Sequence, residues 1–142
     1  SSIHNIDFKN EKFDVITLWH VLEHIDDPVY LFNKLYNLLS DNGILVVQVP
    51  NSDSLGFKLG KQYWFHLDTP RHLIIYNKNS FNILCEKTGF SVSQIKNEFY
   101  DYPQDLLWSL MKSNWKYPII PIYPVMRILS AEHLTFICKK LK

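Results

Sequence analysis

The sequence predicts an α/β fold built around a parallel pair of strands. Three observations carry this. Residues 13–18, "FDVITL", form a mostly apolar, β-branched run without strict alternation, the pattern of a strand buried on both faces. Asp26-Asp27-Pro28 then opens a helix, with aspartate as the N-cap and proline in the first turn. Residues 44–50, "ILVVQVP", make a second buried run. Strand, helix and strand in that order, with no hairpin signal between the strands, define a βαβ unit.

The first helix is supported by apolar residues at helical spacing: Val29, Leu31, Phe32, Leu35, Tyr36, Leu38 and Leu39. Asp41-Asn42-Gly43 supplies the turn expected to end it. Residues 51–70 are irregular, with room for a short helix around Gly56 and Gly60, and residues 71–76, "RHLIIY", are extended. Ser80 is expected to cap a helix over 81–87, closed by Gly89. Residues 90–99 alternate as a strand, 105–114 form a helix, and 132–140 form a last strand. The apolar stretch 117–126 contains Pro118, Pro121 and Pro124, which exclude a long regular helix.

The chain of 142 residues suits one domain, and a hydrophobic content of 46% suits a packed core. A net charge of +1 argues against a dedicated nucleic-acid binder. No apolar run reaches the ~18 residues of a transmembrane segment. Cys85 and Cys138 each sit in an apolar segment and are expected as buried, reduced thiols, which fits a cytoplasmic location.

Chemistry concentrates in "LWHVLEHIDDP", residues 18–28. His20-x-x-Glu23-His24 spells H-x-x-E-H, a signature of some zinc hydrolases. That chemistry needs both histidines on one helix face and a further ligand elsewhere. Here the motif begins just past a strand, and the helix start at Asp27 leaves room for about one turn. No later acidic cluster offers the missing ligand. In open α/β sheets, ligands bind beyond the carboxyl ends of the strands, and residues 19–24 occupy such an end. They are therefore expected to line a pocket. The alternative is that Glu23 and His24 hydrogen-bond each other or the backbone to close the turn.

The run "FDVITLWHVLEHIDDP…LFNKLYNLLSDNGILVVQVPN" resembles the fourth strand, following helix and fifth strand of class I S-adenosylmethionine-dependent methyltransferases. "YWFHLDTPRHLIIYNKNSFNILCEKTGF" resembles the same group, close to the branch of ubiquinone-biosynthesis O-methyltransferases and sugar or glycan-cluster methyltransferases. The resemblance covers residues 6–99. It implies a partial Rossmann-like sheet, strands four to seven of the family fold, mixed parallel and antiparallel with flanking helices. The family's glycine-rich turn G-x-G-x-G is not in this sequence. Residues 1–142 are therefore expected to be the C-terminal part of a single methyltransferase domain, without its N-terminal cofactor-binding half, and inactive in isolation.

The resemblance also implies roles. Ser2 and Ile3 would flank the adenine of S-adenosylmethionine, and Leu18, Trp19 and His20 would lie beside its methionine part. Glu23 and His24 would face the substrate, with His24 as general base, since a neutral imidazole can take a hydroxyl proton near neutral pH. Trp64, His66 and Arg71, in the segment that folds over the acceptor, and Asn51, at the end of the second strand, would contact substrate. Against this, Arg71 could simply pair with Asp68 or Glu23, and the aromatic residues could be core. Quinone-related members suggest a cation at Glu23, Asp26 and Asp27, but helix capping is the expected work of the aspartates, so no metal site is assigned. The implied reaction is methyl transfer to a small-molecule or glycan acceptor, at oxygen. A non-catalytic binding module and a zinc hydrolase are the competing readings. A sheet cut before its fourth strand would expose an edge, so self-association through that edge is expected.

Overall fold

The computed structural model describes residues 8, 11–98, 103–112, 125 and 131–141. The expected sites at Ser2 and Ile3, and most of the proline-rich stretch, lie outside these residues. Among these residues, four strands form one mixed sheet: β1 (Phe13–Trp19), β2 (Leu39–Pro50), β3 (Phe90–Glu98) and β4 (His133–Lys140). Their spatial order is β1-β2-β4-β3. β1 and β2 are parallel, and β4 runs antiparallel to both β2 and β3. The predicted α/β class with a parallel pair is thus observed, and the last strand in sequence sits inside the sheet.

Helices α1 (Pro28–Leu38) and α3 (Lys78–Lys87) contribute to one core over the sheet. Leu31, Phe32 and Leu35 of α1 meet Leu45, Val47 and Val49 of β2 and Phe81, Leu84 and Cys85 of α3. Phe81 stacks on Phe136 of β4 at 3.8 Å, and Phe32 meets Phe90 edge-on at 5.7 Å. Each such fully buried side chain contributes roughly 1.5–3 kcal/mol through removal of apolar surface from water. Cys85 and Cys138 are buried and free, with sulfurs 3.9 Å apart. Among the described residues, no helix is long and apolar enough to cross a membrane.

A smaller cluster joins α2 (Leu55–Gly60) to α4 (Pro103–Lys112) through Leu55, Leu59, Leu106 and Leu110. This packing hangs α4 beside the carboxyl ends of β1 and β2, where it matters for the site below.

Local details depart from expectation in three places. β1 is not buried on both faces: Ile16 and Leu18 pack on the core, while Asp14, Val15, Thr17 and Trp19 are exposed. The reason is its position at the sheet edge, with only β2 beside it among the described residues. The α1 helix ends before Asp41-Asn42-Gly43, and these residues form a bulge within β2. From Phe13 to Val15 the first strand advances two residues, while its partner advances five, from Leu39 to Ile44. Ser80 is not the cap of α3. Asn77 is, accepting from the Ser80 N–H at 2.9 Å while the Ser80 hydroxyl accepts from the Asn77 N–H at 3.0 Å. The reciprocal pair satisfies both groups, so the third helical residue had the look of the cap. At α1 the expected cap holds: Asp27 accepts from the Tyr30 N–H, and Asp26 from the Asp27 N–H, each at 2.9 Å.

Candidate functional site

Because β4 is antiparallel, its first residue lies beside the carboxyl ends of the parallel strands. His133 pairs with Pro50 at the end of β2, and the backbone of His20 continues the β1–β2 ladder through the Gln48 carbonyl at 3.2 Å. His20 then turns the chain in the left-handed region, with φ of 53°. A non-glycine residue held there stores strain at a strand end, a placement common at functional sites. A single 3-10 turn (Leu22–His24) follows. Its Glu23 carbonyl accepts from the Leu73 N–H at 2.7 Å and the Ile74 N–H at 3.3 Å, which fastens the 71–76 segment against the strand end.

These elements enclose a cavity of about 500 Å³, lined among others by His20, Glu23, His66, His72, Asp105 and His133. Two histidine–carboxylate pairs face it. His20 Nδ1 lies 3.2 Å from Glu23 Oε1, with Glu23 fully buried. His66 Nε2 lies 2.9 Å from Asp105 Oδ2, both buried. The His133 ring packs 4.4 Å from that of His66 and 4.8 Å from that of His20. Burial, reinforced by the nearby His66 and His20, pushes the His133 pKa down to about 2, so it is neutral. Burial likewise raises the Tyr76 hydroxyl, with the Glu23 charge adding to it.

α4 is locked to this wall. The Ser109 hydroxyl donates to the Asp105 carbonyl at 2.7 Å and accepts from the Phe65 N–H at 2.9 Å. Behind it, the buried Glu132 carboxylate accepts from the Trp64 indole at 2.7 Å and the Gly56 N–H at 2.9 Å. Burial raises its pKa, and the bonds from Trp64 and Gly56 offset part of that rise.

The residues expected at the site are distributed unevenly. His20, Glu23, His66 and Arg71 line the cavity. His24 does not: it is exposed, and its Nδ1 meets the Arg71 carbonyl at 2.9 Å. His20 precedes the turn and His24 ends it, so the two share no helix face and the H-x-x-E-H zinc geometry is not formed. Arg71 is mostly exposed and holds Asp68 at 2.8 Å; this hydrogen bond keeps the Asp68 carboxyl below its usual range. Trp64 is buried with its indole on Glu132, and it lines a separate cavity of about 290 Å³. Asn51 is buried too, donating to the Ala131 carbonyl and accepting from the Asp53 N–H, each at 2.9 Å. Leu18 packs on the core and Trp19 is exposed at the end of β1. Sequence reasoning missed His72, Asp105 and His133. The one available signal was the Glu132-His133 pair, two polar residues opening an apolar strand.

A sheet of this order and direction, with a histidine-lined cavity at its strand ends, matches part of the fold of S-adenosylmethionine-dependent methyltransferases. A methyltransferase of that kind from Clostridium acetobutylicum ATCC 824 matches all of this chain with a TM-score of 0.60 at 14% identity, over 63% of its own length. Mycolic acid cyclopropane synthase CmaA1, solved with SAH and CTAB, matches 96% of this chain with a TM-score of 0.61 at 16% identity, over 57% of its own length. A ubiquinone biosynthesis O-methyltransferase from Glaesserella parasuis serovar 5 (strain SH0165) is 37% identical over 49 residues, 34% of this chain and 21% of that protein. The chain thus spans about a fifth of that relative and roughly three fifths of the two structures. The methyltransferase-domain family model matches residues 2–95, and the chain belongs to that family.

Proposed function

We propose that this chain forms the acceptor side of an S-adenosylmethionine-dependent methyltransferase acting on the hydroxyl of a small molecule. The observation that carries this is the histidine-lined cavity at the carboxyl ends of β1 and β2, in a chain of the methyltransferase-domain family. Leu18 and Trp19 end β1 and His20 follows directly, the position that the resemblance gives to the methionine part of the cofactor. A cavity of about 500 Å³ suits a small acceptor or the end of a glycan. The partial likeness to a ubiquinone biosynthesis O-methyltransferase supports oxygen as the methylated atom.

In this reading His20 takes the part first expected of His24. Its Nδ1–H would donate to the buried Glu23 carboxylate, a tautomer with Nε2 as the basic nitrogen. When bound, S-adenosylmethionine would supply the methyl group, and His20 would take the proton that the acceptor hydroxyl gives up. Alignment of the in-line displacement supplies much of the rate, and the base adds about 10²–10⁴-fold. Ser2 and Ile3 keep their places at the adenine and Arg71 at the acceptor, while Asn51 and Trp64, buried and bonded within the chain, would support the wall behind them. The outer edge of β1 pairs with a second copy of the chain.

The test, on the full-length protein that carries this chain, is calorimetric titration with S-adenosylhomocysteine, followed by labelled methyl transfer in the parent and in His20→Asn. Asparagine tolerates the left-handed backbone but is no base. Saturable binding in both, with turnover lowered 10²–10⁴-fold in the variant and its pH dependence flattened, is the expected result. Absence of S-adenosylhomocysteine binding by the parent would remove the reading.

A further inference from the structure

We propose that His66, Asp105 and His133 bind a divalent transition-metal ion in the wall of the cavity. Their ligand atoms, two imidazole nitrogens and one carboxylate oxygen, all lie within 4.8 Å of one another, and all three residues are buried. They arrive from three separate places: the loop after α2, the α4 helix and the first position of β4. An ion with bonds of about 2.0–2.2 Å holds its ligands roughly 3.3–3.6 Å apart. The His66–Asp105 pair, at 2.9 Å, opens slightly, and the wider separations close by about 1 Å, which is within the reach of small side-chain rotations.

The chemistry of the set favours a metal over a simple ion pair. A His66–Asp105 pair accounts for two of the residues. It gives no reason for β4 to bring a third ligand-type ring to 4.4 Å from His66. A carboxylate buried to the extent of Asp105 is costly unless well compensated, and a divalent ion compensates it more fully than one imidazole. Two imidazoles with one carboxylate, open on the cavity side, suit zinc or ferrous iron; magnesium and calcium prefer oxygen ligands throughout. Glu23, His24 and His72 also bring ligand atoms within 4.8 Å of one another. That set is less enclosed: His24 is exposed and His72 half-buried, whereas His66, Asp105 and His133 are all buried.

The ion's chemical role, taking an acceptor oxygen as ligand and lowering its pKa, rests on the methyl-transfer reading; its binding does not. The test is a calorimetric titration of chelator-stripped protein with Zn²⁺ alone, with Mg²⁺ in parallel. One zinc per chain and no response to magnesium is the expected outcome. Asp105→Asn and His66→Ala should weaken zinc binding by about 100-fold or more, since even groups behind the ligands cost 10–100-fold. His24→Ala should change it by less than about twofold, and circular dichroism checks that each variant is folded. X-ray absorption at the zinc edge of the unaltered protein should show a nitrogen and oxygen shell containing two imidazoles, a result independent of any variant. No zinc uptake, a shell without two imidazoles, or loss of binding only in His24→Ala would overturn the site. Zinc binding without S-adenosylhomocysteine binding would leave this site standing and remove the methyl-transfer reading alone.

Discussion

His133 occupies a fully buried position, and its pKa of about 2 in the folded chain compares with about 6.5 for a solvated imidazole. Between these values the unfolded chain holds one proton more than the folded one. Stability is therefore untouched above pH 6.5 and falls as pH drops, by about 1.4 kcal/mol per pH unit, until the folded state protonates as well. Thermal melts from pH 7 to pH 5 should show this decline, with a shallower one in His133→Gln. An equal decline in both would move the acid sensitivity to another group. At this scale the sequence was partly legible. His20 and Glu23 were readable because they follow a strand directly. Asn51 stands at an equivalent strand end, yet its amide is engaged by Ala131 and Asp53. Spacing along a chain says where a side chain begins and not which backbone groups meet it.

Among the elements, the junction of α2 with the Trp64 loop depends on a single close approach. A Cβ at Gly56 would lie 2.3 Å from Oε2 of Glu132 and 2.6 Å from Oε1. Gly56→Ala must therefore displace the carboxylate from both the Trp64 indole and the helix backbone. The expected cost is roughly 2 kcal/mol, the loss of hydrogen bonds to a buried charged group. Urea unfolding followed by tryptophan fluorescence measures it, and an unchanged midpoint would show that Glu132 finds other partners. Helix α1 could be read from its apolar periodicity and its Asp27 cap, and α3 could be read with its cap placed three residues late. α4 could be read too, but not its task, because the bonds from Asp105 to His66 and from Ser109 to Phe65 join residues about forty positions apart.

At the scale of the whole sheet, β1 is the margin among the described residues, with Val15 54% and Trp19 52% accessible. Unpaired backbone at such a margin favours pairing with another strand. Sedimentation velocity should reveal a dimer that Val15→Lys shifts towards monomer; a parent protein that remains monomeric at micromolar concentration would refute the pairing. The βαβ unit was legible because its contacts are local, whereas the site needed tertiary information: His133 lies 113 positions beyond His20. That distance follows from the strand order, in which β4 fills the gap between β2 and β3. A nascent chain leaving the ribosome carries β2 and β3 with their facing edges unsatisfied until residues 133–140 emerge. Until then the sheet lacks its central member, and chaperones would meet two open edges in place of a finished sheet.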